Sequence, residues 1–347
     1  MAEQLELTKE QYGALWKYVE DEEVSDIDCI RGEIWVTRGA GIRKRAPEML
    51  SREFIAAFCQ KVATMQRMNF NPSNPLLEAE TQNLRISILH ESVSMGGRSI
   101  SIRKSLPKQR FDEEGAIHSG YATKEMLAFL TACVRAHFTF VICGNPGSGK
   151  TECAKFLAGK IPPNERIITI EDNLEWHLKQ IHPEADVVEI KVDKDEEKGI
   201  FSYKDAIKAS LRQNPKWLML SEARGREARQ LLEAWSTGIC GITTLHTDDT
   251  RKIPERILNM VGSYRDSQRM ENQIYNDIDV GILLGFGKSP EGLLYRRIEQ
   301  ICLYGRKNNH NETWLYVGGE KEEAIEIPAS IQEKLDKAGI REERILE

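Results

Sequence analysis

The sequence predicts an α/β protein, in which a domain built on a mostly parallel β-sheet is preceded by a smaller α+β domain. Three observations lead to this prediction. In the second part of the chain, continuous apolar segments alternate with amphipathic ones, as expected of buried parallel strands covered by helices on both faces. In the first part, apolar and polar residues alternate within short segments, which is typical of antiparallel strands with one buried face. A chain of 347 residues is also longer than a single hydrophobic core usually supports.

The first domain is expected over residues 1–104. Residues 8–20 and 51–68 have apolar positions spaced three and four apart, which predicts two amphipathic helices. Residues 29–41 alternate around glycines and predict a strand and a hairpin. The segments LRISILHES and RSISIRKS, separated by the turn-like MGG, predict two antiparallel strands.

The second domain is expected over residues 123–347, after a linker. Residues 105–122 mix proline, glycine and charge without apolar periodicity, which predicts the linker. Helices and strands then alternate as they do in parallel-sheet domains. The predicted elements are a helix at 123–136, a strand at 138–143, a helix from Lys150, a strand at 166–172, a helix at 202–213, a strand at 217–222, a helix through Trp235 and a strand at 241–247.

Composition limits the class of protein. Seven scattered cysteines without a CxxC pair predict buried thiols in a reducing compartment and argue against a disulfide framework or a zinc ribbon. No apolar run approaches the roughly 18 residues of a membrane-spanning helix. The acidic N-terminus lacks the order of a signal peptide. These features together lead us to expect a cytoplasmic protein. The net charge of −6 does not favour nucleic acid, so we expect no direct binding to it.

A phosphate-binding motif follows the apolar segment FVIC. GNPGSGKT matches G-x-x-x-x-G-K-[ST], and the residues after it are compatible with a helix. The glycines let backbone N–H groups point at phosphate oxygens, and the helix N-terminus adds positive potential. Lys150 would neutralise β- and γ-phosphate oxygens, and Thr151 would hold Mg²⁺. The predicted ATP-binding residues of this P-loop are Gly144, Asn145, Pro146, Gly147, Ser148, Gly149, Lys150, Thr151 and Glu152.

Carboxylates stand at the ends of two later apolar strands. Glu171, Asp172 and Glu175 end the segment IITIEDNLEW, for which an exposed strand end followed by a helix cap is the alternative. The apolar strand 217–220 is followed by Ser221 and then by Glu222. Ligands bind at the carboxyl ends of parallel strands, so Glu222 is the candidate for activating water.

These motifs together resemble the type II/type IV secretion ATPase superfamily. The P-loop, IEDNLE, LRQNPKWLMLSEARG and STGICGITTLHTDD stand in the order and spacing of that family's Walker A, Asp box, Walker B and His box. The resemblance implies a RecA-like P-loop NTPase domain and a homohexameric ring that binds ATP and Mg²⁺ between the two domains of each subunit. It implies a motor for secretion, conjugation or pilus assembly. Inner-membrane platform proteins would be its partners, and attachment to the inner face of the cell membrane would be peripheral.

The same resemblance implies roles for single residues. The implied catalytic residues are Glu222, Lys150, Glu171 and His246, and the implied Mg²⁺ ligands are Thr151, Glu171 and Asp172. A structural histidine at a strand end is the alternative for His246. The segment LRISILHESVSMGGRSISIRK is similar to the family's arginine-bearing strands, which implies that Arg85 and Arg103 reach ATP from the first domain like arginine fingers.

Three positions depart from the family pattern. Ile239 stands where the His box often begins with a histidine, Lys216 stands where an aspartate is common, and Ser221 replaces a common glycine. We expect ATP hydrolysis to survive these changes, at a low rate. No cysteine cluster with zinc-ligand spacing is present in the sequence, which favours the tight-adherence pilus and type IV secretion branch.

Two alternative functions remain open at this point. Ile239 and Lys216 motivate an ATP-binding ring scaffold with little hydrolysis. The basic stretch from Arg98 to Arg110 motivates a RecA-like nucleic-acid motor, although a plain solvated face explains such a stretch as well.

Overall fold

The structure, a computed structural model, describes residues 7–39, 41–81, 83–193, 199–262, 267–290, 292, 294–317 and 328–340. Residue contacts divide the chain into two compact units, Met1–Pro107 and Lys108–Glu347. Each unit has its own sheet and its own buried core. No helix within the described ranges is long and apolar enough to cross a bilayer.

The strands of the first unit form an antiparallel sheet. In chain order they are β1 (Val24–Ile30), β2 (Glu33–Arg38), β3 (Ile42–Met49), β4 (Leu76–Glu80), β5 (Leu84–Leu89) and β6 (Ser99–Lys104). Their order in the sheet is β3-β2-β1-β6-β5-β4. β5 and β6 pair antiparallel with Ile86 opposite Ile102, which confirms the two antiparallel strands predicted here. β3 was not predicted, because its run of basic residues interrupts the alternation of apolar and polar positions.

One long helix, Arg52–Met65, packs on this sheet and confirms the second predicted helix. It begins at Ser51, whose hydroxyl accepts the N–H of Phe54 at 3.1 Å as an N-cap. Phe58 and Val62 lie on its buried face, one turn apart.

The first predicted helix is interrupted. Residues 8–20 form the short pieces Lys9–Tyr12, Gly13–Leu15 and Trp16–Glu20. Gly13 adopts a φ of 50°, and an added Cβ there would lie 2.7 Å from the Phe54 ring. The glycine therefore breaks the helix and permits close contact with the neighbouring one.

The strands of the second unit form the mostly parallel sheet that the sequence predicts. They are β7 (Phe140–Gly144), β8 (Ile167–Glu171), β9 (Val187–Lys191), β10 (Trp217–Leu220), β11 (Cys240–Leu245), β12 (Val280–Lys288), β13 (Leu294–Lys307) and β14 (His310–Val317). Their order is β14-β13-β12-β7-β11-β10-β8-β9. β12 through β9 in this order are parallel, and β13 and β14 extend the sheet antiparallel. Strands β7, β8, β10 and β11 are buried along their whole length, because helices cover both faces.

The helices of the second unit form two layers around the sheet. They are Glu113–His118, Lys124–Arg135, Lys150–Ala158, Leu178–Ile181, Tyr203–Ser210, Glu227–Trp235, Ile253–Val261, Ser267–Asp277 and Ala329–Lys337. One face of the sheet packs Lys124–Arg135 and Lys150–Ala158 against a core around Phe140 and Met219. The other face packs Glu227–Trp235, Ile253–Val261 and Ser267–Asp277 around Leu218.

The segment 105–122 differs from a plain linker. Residues from Lys108 onward belong to the second unit, and Glu113–His118 is helical. Ala116 and Tyr121 are buried in its core. The segment lacks apolar periodicity because its helix is short and only single side chains along it, such as Ala116 and Tyr121, reach the core.

Candidate functional site

The P-loop leaves β7 at Gly144 and forms a tight turn over residues 145–148. Pro146 occupies the second position of this turn and Gly147, with a φ of 77°, the third. The Ser148 N–H donates to the Asn145 carbonyl at 3.2 Å, which closes a type II turn. A second left-handed glycine, Gly149 with a φ of 96°, then starts the helix Lys150–Ala158.

Gly144 allows the loop to lie against the neighbouring strand. A Cβ at this position would lie 2.4 Å from the Leu284 carbonyl oxygen on β12 and 2.7 Å from the Ser148 hydroxyl oxygen. That hydroxyl is fully buried and makes no hydrogen bond within the described residues. A cradle that only glycine fits, with an unsatisfied buried hydroxyl inside it, suits the oxygen-rich phosphates of a nucleotide.

Lys150 directs its ammonium group back over the loop. Its Nζ donates to the carbonyl oxygens of Gly144 at 2.9 Å and Asn145 at 3.2 Å. It also lies 3.3 Å from Nδ1 of His246, which follows β11. The loop lysine and the His-box histidine predicted from the sequence are therefore neighbours.

Charged side chains continue from His246 across the carboxyl ends of the next two strands. Nε2 of His246 lies 3.2 Å from Glu222, which follows β10. The other carboxylate oxygen of Glu222 accepts a 2.7 Å hydrogen bond from Arg224. Arg224 in turn donates to Asp172, which follows β8, at 2.9 Å. Since β7, β11, β10 and β8 are consecutive in the sheet, one continuous chain of contacts runs from Lys150 to Asp172.

Glu171 ends β8 and is fully buried. One of its carboxylate oxygens accepts the N–H groups of Glu175 at 2.8 Å and Trp176 at 3.2 Å. The other oxygen makes no hydrogen bond within the described residues. Burial raises the pKa of Glu171 to about 8, against the lowering effect of the two N–H donors. Glu171 thus shapes the loop that follows β8.

The Thr151 hydroxyl contacts the carboxylate of Glu175. The Thr151 hydroxyl donates to it at 3.4 Å, whereas Asp172 is paired with Arg224. Mg²⁺ takes oxygen ligands and commonly uses one or two protein groups besides phosphates and water. A hydroxyl and a carboxylate at the start of the P-loop helix fit that ion, so the geometry adds Glu175 to the predicted metal residues Thr151, Glu171 and Asp172.

Glu152, predicted as a nucleotide contact, engages protein groups. Its carboxylate accepts the backbone N–H of Arg110 at 3.2 Å and lies 4.0 Å from the guanidinium of the same residue. It also pairs with the buried ammonium of Lys155 at 3.3 Å. Its contacts therefore fasten the helix that follows the P-loop to the beginning of the second unit.

Arg85 and Arg103 lie in the first unit and face each other across β5 and β6. Directly opposite residues of paired strands share one face of the sheet, so the two arginines project from the same side. Arg103 lies 4.0 Å from Asp26 of the adjacent strand β1. Their contact with nucleotide stays a prediction.

Two residues that the sequence analysis did not assign support the site. Arg224 bridges Glu222 and Asp172. Glu227 accepts the backbone N–H groups of Arg224 at 2.6 Å and Gly225 at 2.7 Å, which fixes the loop after β10. The run SEARGREA contains both residues, but only the fold reveals that Arg224 faces β8.

The departures at Lys216 and Ile239 lie at the opposite edge of the sheet. Lys216 precedes β10 and Ile239 precedes β11, whereas Glu222 and His246 follow those strands. A strand rises about 3.3 Å per residue, so Ile239 and His246 are separated by roughly 20 Å. Neither departure alters the chain of contacts at the P-loop edge.

A P-loop at the switch from β7 to a helix, flanked by carboxylates on neighbouring strands, defines a P-loop nucleotide-binding protein. A family model described as "Type II/IV secretion system protein" matches residues 56–280. The chain belongs to this family, as its motifs predict.

Similar proteins agree with this membership. An uncharacterized protein of Bacillus anthracis is 28% identical over 242 residues, which are 69% of this chain and 53% of that relative. This chain thus spans about half of that protein's length. Protein VirB11 of Rhizobium radiobacter is 28% identical over 292 residues, covering 76% of this chain and 83% of the relative. The ATPase DotB of Legionella pneumophila shares the fold, with a TM-score of 0.63 at 18% identity over 86% of this chain and 82% of DotB.

Proposed function

We propose that this chain hydrolyses ATP and works as a motor of a secretion, conjugation or pilus assembly machine. One observation carries the proposal, namely the chain of contacts from Lys150 through His246, Glu222 and Arg224 to Asp172. It joins the phosphate-binding lysine to a carboxylate held at the same edge of the sheet. Membership in the type II/IV secretion family supports the same function.

Glu222 is the proposed general base. Arg224 and His246 contact different oxygens of its carboxylate, so the side chain is held from two sides. Nε2 of His246 faces Glu222, while Nδ1 lies 3.1 Å from the Gly144 carbonyl oxygen and 3.3 Å from Lys150, so the ring is fixed between Glu222 and the P-loop. The carboxylate would orient a water and accept its proton as the water attacks the γ-phosphate. Lys150 would neutralise the charge on the phosphate oxygens.

The metal would be held at the first turn of the P-loop helix. Thr151 and Glu175 supply a hydroxyl and a carboxylate there, and Glu171, whose second oxygen makes no hydrogen bond within the described residues, stands four residues before Glu175. Mg²⁺, when bound there, would supply positive charge that neutralises the phosphates. Glu171 and Asp172, the other metal ligands predicted from the sequence, stand at the end of β8.

The remaining parts of the proposal follow from the family. We propose a homohexameric ring in which Arg85 and Arg103 reach the nucleotide from the first unit. Inner-membrane platform proteins are the proposed partners, and the proposed location is the cytoplasmic face of the inner membrane. No direct binding to nucleic acid is expected.

Phosphate release from ATP by the full chain tests the site. Wild-type protein should turn over ATP, Lys150→Ala should lose nucleotide binding, and Glu222→Gln should bind ATP while losing about 100-fold or more in kcat. Retained turnover in both variants would contradict the site assignment. A particle mass of about six times the 39.6 kDa chain is expected in the presence of ATP.

Two results would favour the alternatives. Tight ATP binding without turnover, even with membrane partners present, would favour the scaffold. Ile239 and Lys216 motivated the scaffold hypothesis, but they lie at the far edge of the sheet, away from Glu222 and His246. Salt-sensitive binding of single-stranded DNA would favour a nucleic-acid motor.

A further inference from the structure

Arg296 contacts the P-loop from a distant part of the chain. It lies on β13, 149 residues beyond Gly147, and its Nε–H donates a 2.8 Å hydrogen bond to the Gly147 carbonyl. The side chain also lies beside Gly149, where an added Cβ would be 3.1 Å from Cδ of Arg296. The arginine therefore contacts the loop at Gly147 and lies beside Gly149, the two residues that flank Ser148.

The carbonyl that Arg296 contacts belongs to the turn that shapes the loop. A peptide bond is planar and trans, so holding the Gly147 carbonyl also fixes the direction of the Ser148 N–H. That N–H closes the type II turn onto the Asn145 carbonyl. The same Asn145 carbonyl accepts from Lys150, which links the turn to the phosphate-binding ammonium.

The antiparallel edge of the sheet brings Arg296 to this position. β13 pairs with β12, where Arg296 stands opposite Phe286. β12 pairs with β7, the strand that leads into the P-loop. The loop is thus supported from a strand pair outside the four motifs that carry the family resemblance.

We infer that Arg296 is a positioning residue of the ATP site, which holds the P-loop turn and places a permanent positive charge beside it. A guanidinium remains charged at every physiological pH and donates in a fixed fork, so it restrains a carbonyl more firmly than a lysine does. Arg296 acts on ATP affinity through the loop. The inference rests on the proposed function, because it names a residue of that same nucleotide site.

The neighbouring Arg297 provides a matched control. It is the next residue on the same strand, so its side chain leaves the opposite face of the sheet. Its Nε lies 3.6 Å from Glu299. Replacing it removes the same charge from the same strand without touching the Gly147 carbonyl.

The test measures ATP affinity and steady-state turnover of the full chain, with thermal unfolding as a check of folding. Arg296→Gln should raise the Kd and KM for ATP about tenfold, Arg296→Lys about threefold and Arg297→Gln less than about twofold. The kcat of Arg296→Gln at saturating ATP should stay within about threefold of wild type, because the catalytic carboxylate keeps its partners. A general structural defect would instead lower the unfolding temperature together with kcat.

Equal ATP affinity in Arg296→Gln and Arg297→Gln would overturn the inference, while ATP binding by wild type would leave the proposed function standing. If the wild-type chain binds no ATP, both fail. Should Arg296→Gln not unfold cooperatively, Arg296→Lys decides: wild-type affinity in that variant overturns the inference, and the threefold loss supports it.

Discussion

Arg224 offers a direct test of the chain of contacts, because it joins carboxylates from two strands. Its guanidinium donates to Glu222 at 2.7 Å and to Asp172 at 2.9 Å. Replacement by methionine removes both ion pairs and leaves the two carboxylates with less neutralising charge. Glu222, the proposed general base, would then lose one of the two groups that hold it.

The expected magnitudes follow from exposure. The Arg224 side chain is 57% exposed, so solvent screens each pair and the loss of both should cost about 1 kcal/mol of unfolding free energy. For a unit of this size that corresponds to roughly 2–4 °C in Tm. The effect on kcat should be larger, about 10-fold to 100-fold, because a misplaced base loses orientation as well as charge.

Phosphate release and thermal unfolding of Arg224→Met measure these two effects. Arg226→Met is the matched control, since Arg226 is an exposed arginine on the same loop. Arg224→Lys should recover part of kcat, because it keeps a charge without the two-pronged donor geometry. If Arg224→Met and Arg226→Met turn over ATP at the same rate, Arg224 does not position Glu222 and the proposed chain has no catalytic meaning.

Two further predictions concern stability. In the first unit, the hydrogen bond from Arg98 lowers the pKa of Glu91 to about 2, from the roughly 4.3 of an unfolded chain. The pair therefore stabilises the folded state fully above pH 4.3, and this stabilisation is lost as the pH falls through 2. Because Glu91 is about half exposed, Arg98→Met should cost less than about 1 kcal/mol of unfolding free energy at pH 6. The cost should be much smaller near pH 2, as measured by urea unfolding, and ATPase activity should be unchanged. In the second unit, Lys334 of the C-terminal helix pairs with the buried Asp279, whose pKa burial raises. Lys334→Met should cost about 1–3 kcal/mol at pH 7 and less near pH 4, since the unpaired acid is protonated there; an equal loss at both pH values would contradict this account.

The sequence predicts much of the second unit because periodicity and motif agree there. Strands such as β7 and β10 are continuous apolar runs, and the loop at Gly144 follows the first of them directly. The carboxyl ends of parallel strands meet at one edge, so Glu222 and His246 were expected near Lys150, and they lie there.

The features that escaped prediction depend on long-range contacts. Arg296 reaches Gly147 only because β12 and β13 extend the sheet beside β7, and no local pattern encodes that neighbourhood. Compared with the Walker B and His box motifs alone, Lys216 and Ile239 suggest a damaged nucleotide site. In the fold, both residues precede their strands, whereas Glu222 and His246 follow them. Residues before and after a strand lie at opposite edges of the sheet, so Lys216 and Ile239 are remote from the site.

The helix Lys150–Ala158 connects the P-loop to the start of the second unit. Its first turn carries Lys150, whose ammonium group lies over the P-loop, and Glu152 on the same turn accepts the backbone N–H of Arg110. Further along, the Phe156 ring stacks on Phe111 at 5.5 Å. Residues 110 and 111 come directly after the point where the chain passes from one unit to the other. The helix that carries Lys150 is therefore tied, through Arg110 and Phe111, to the residues that open the second unit.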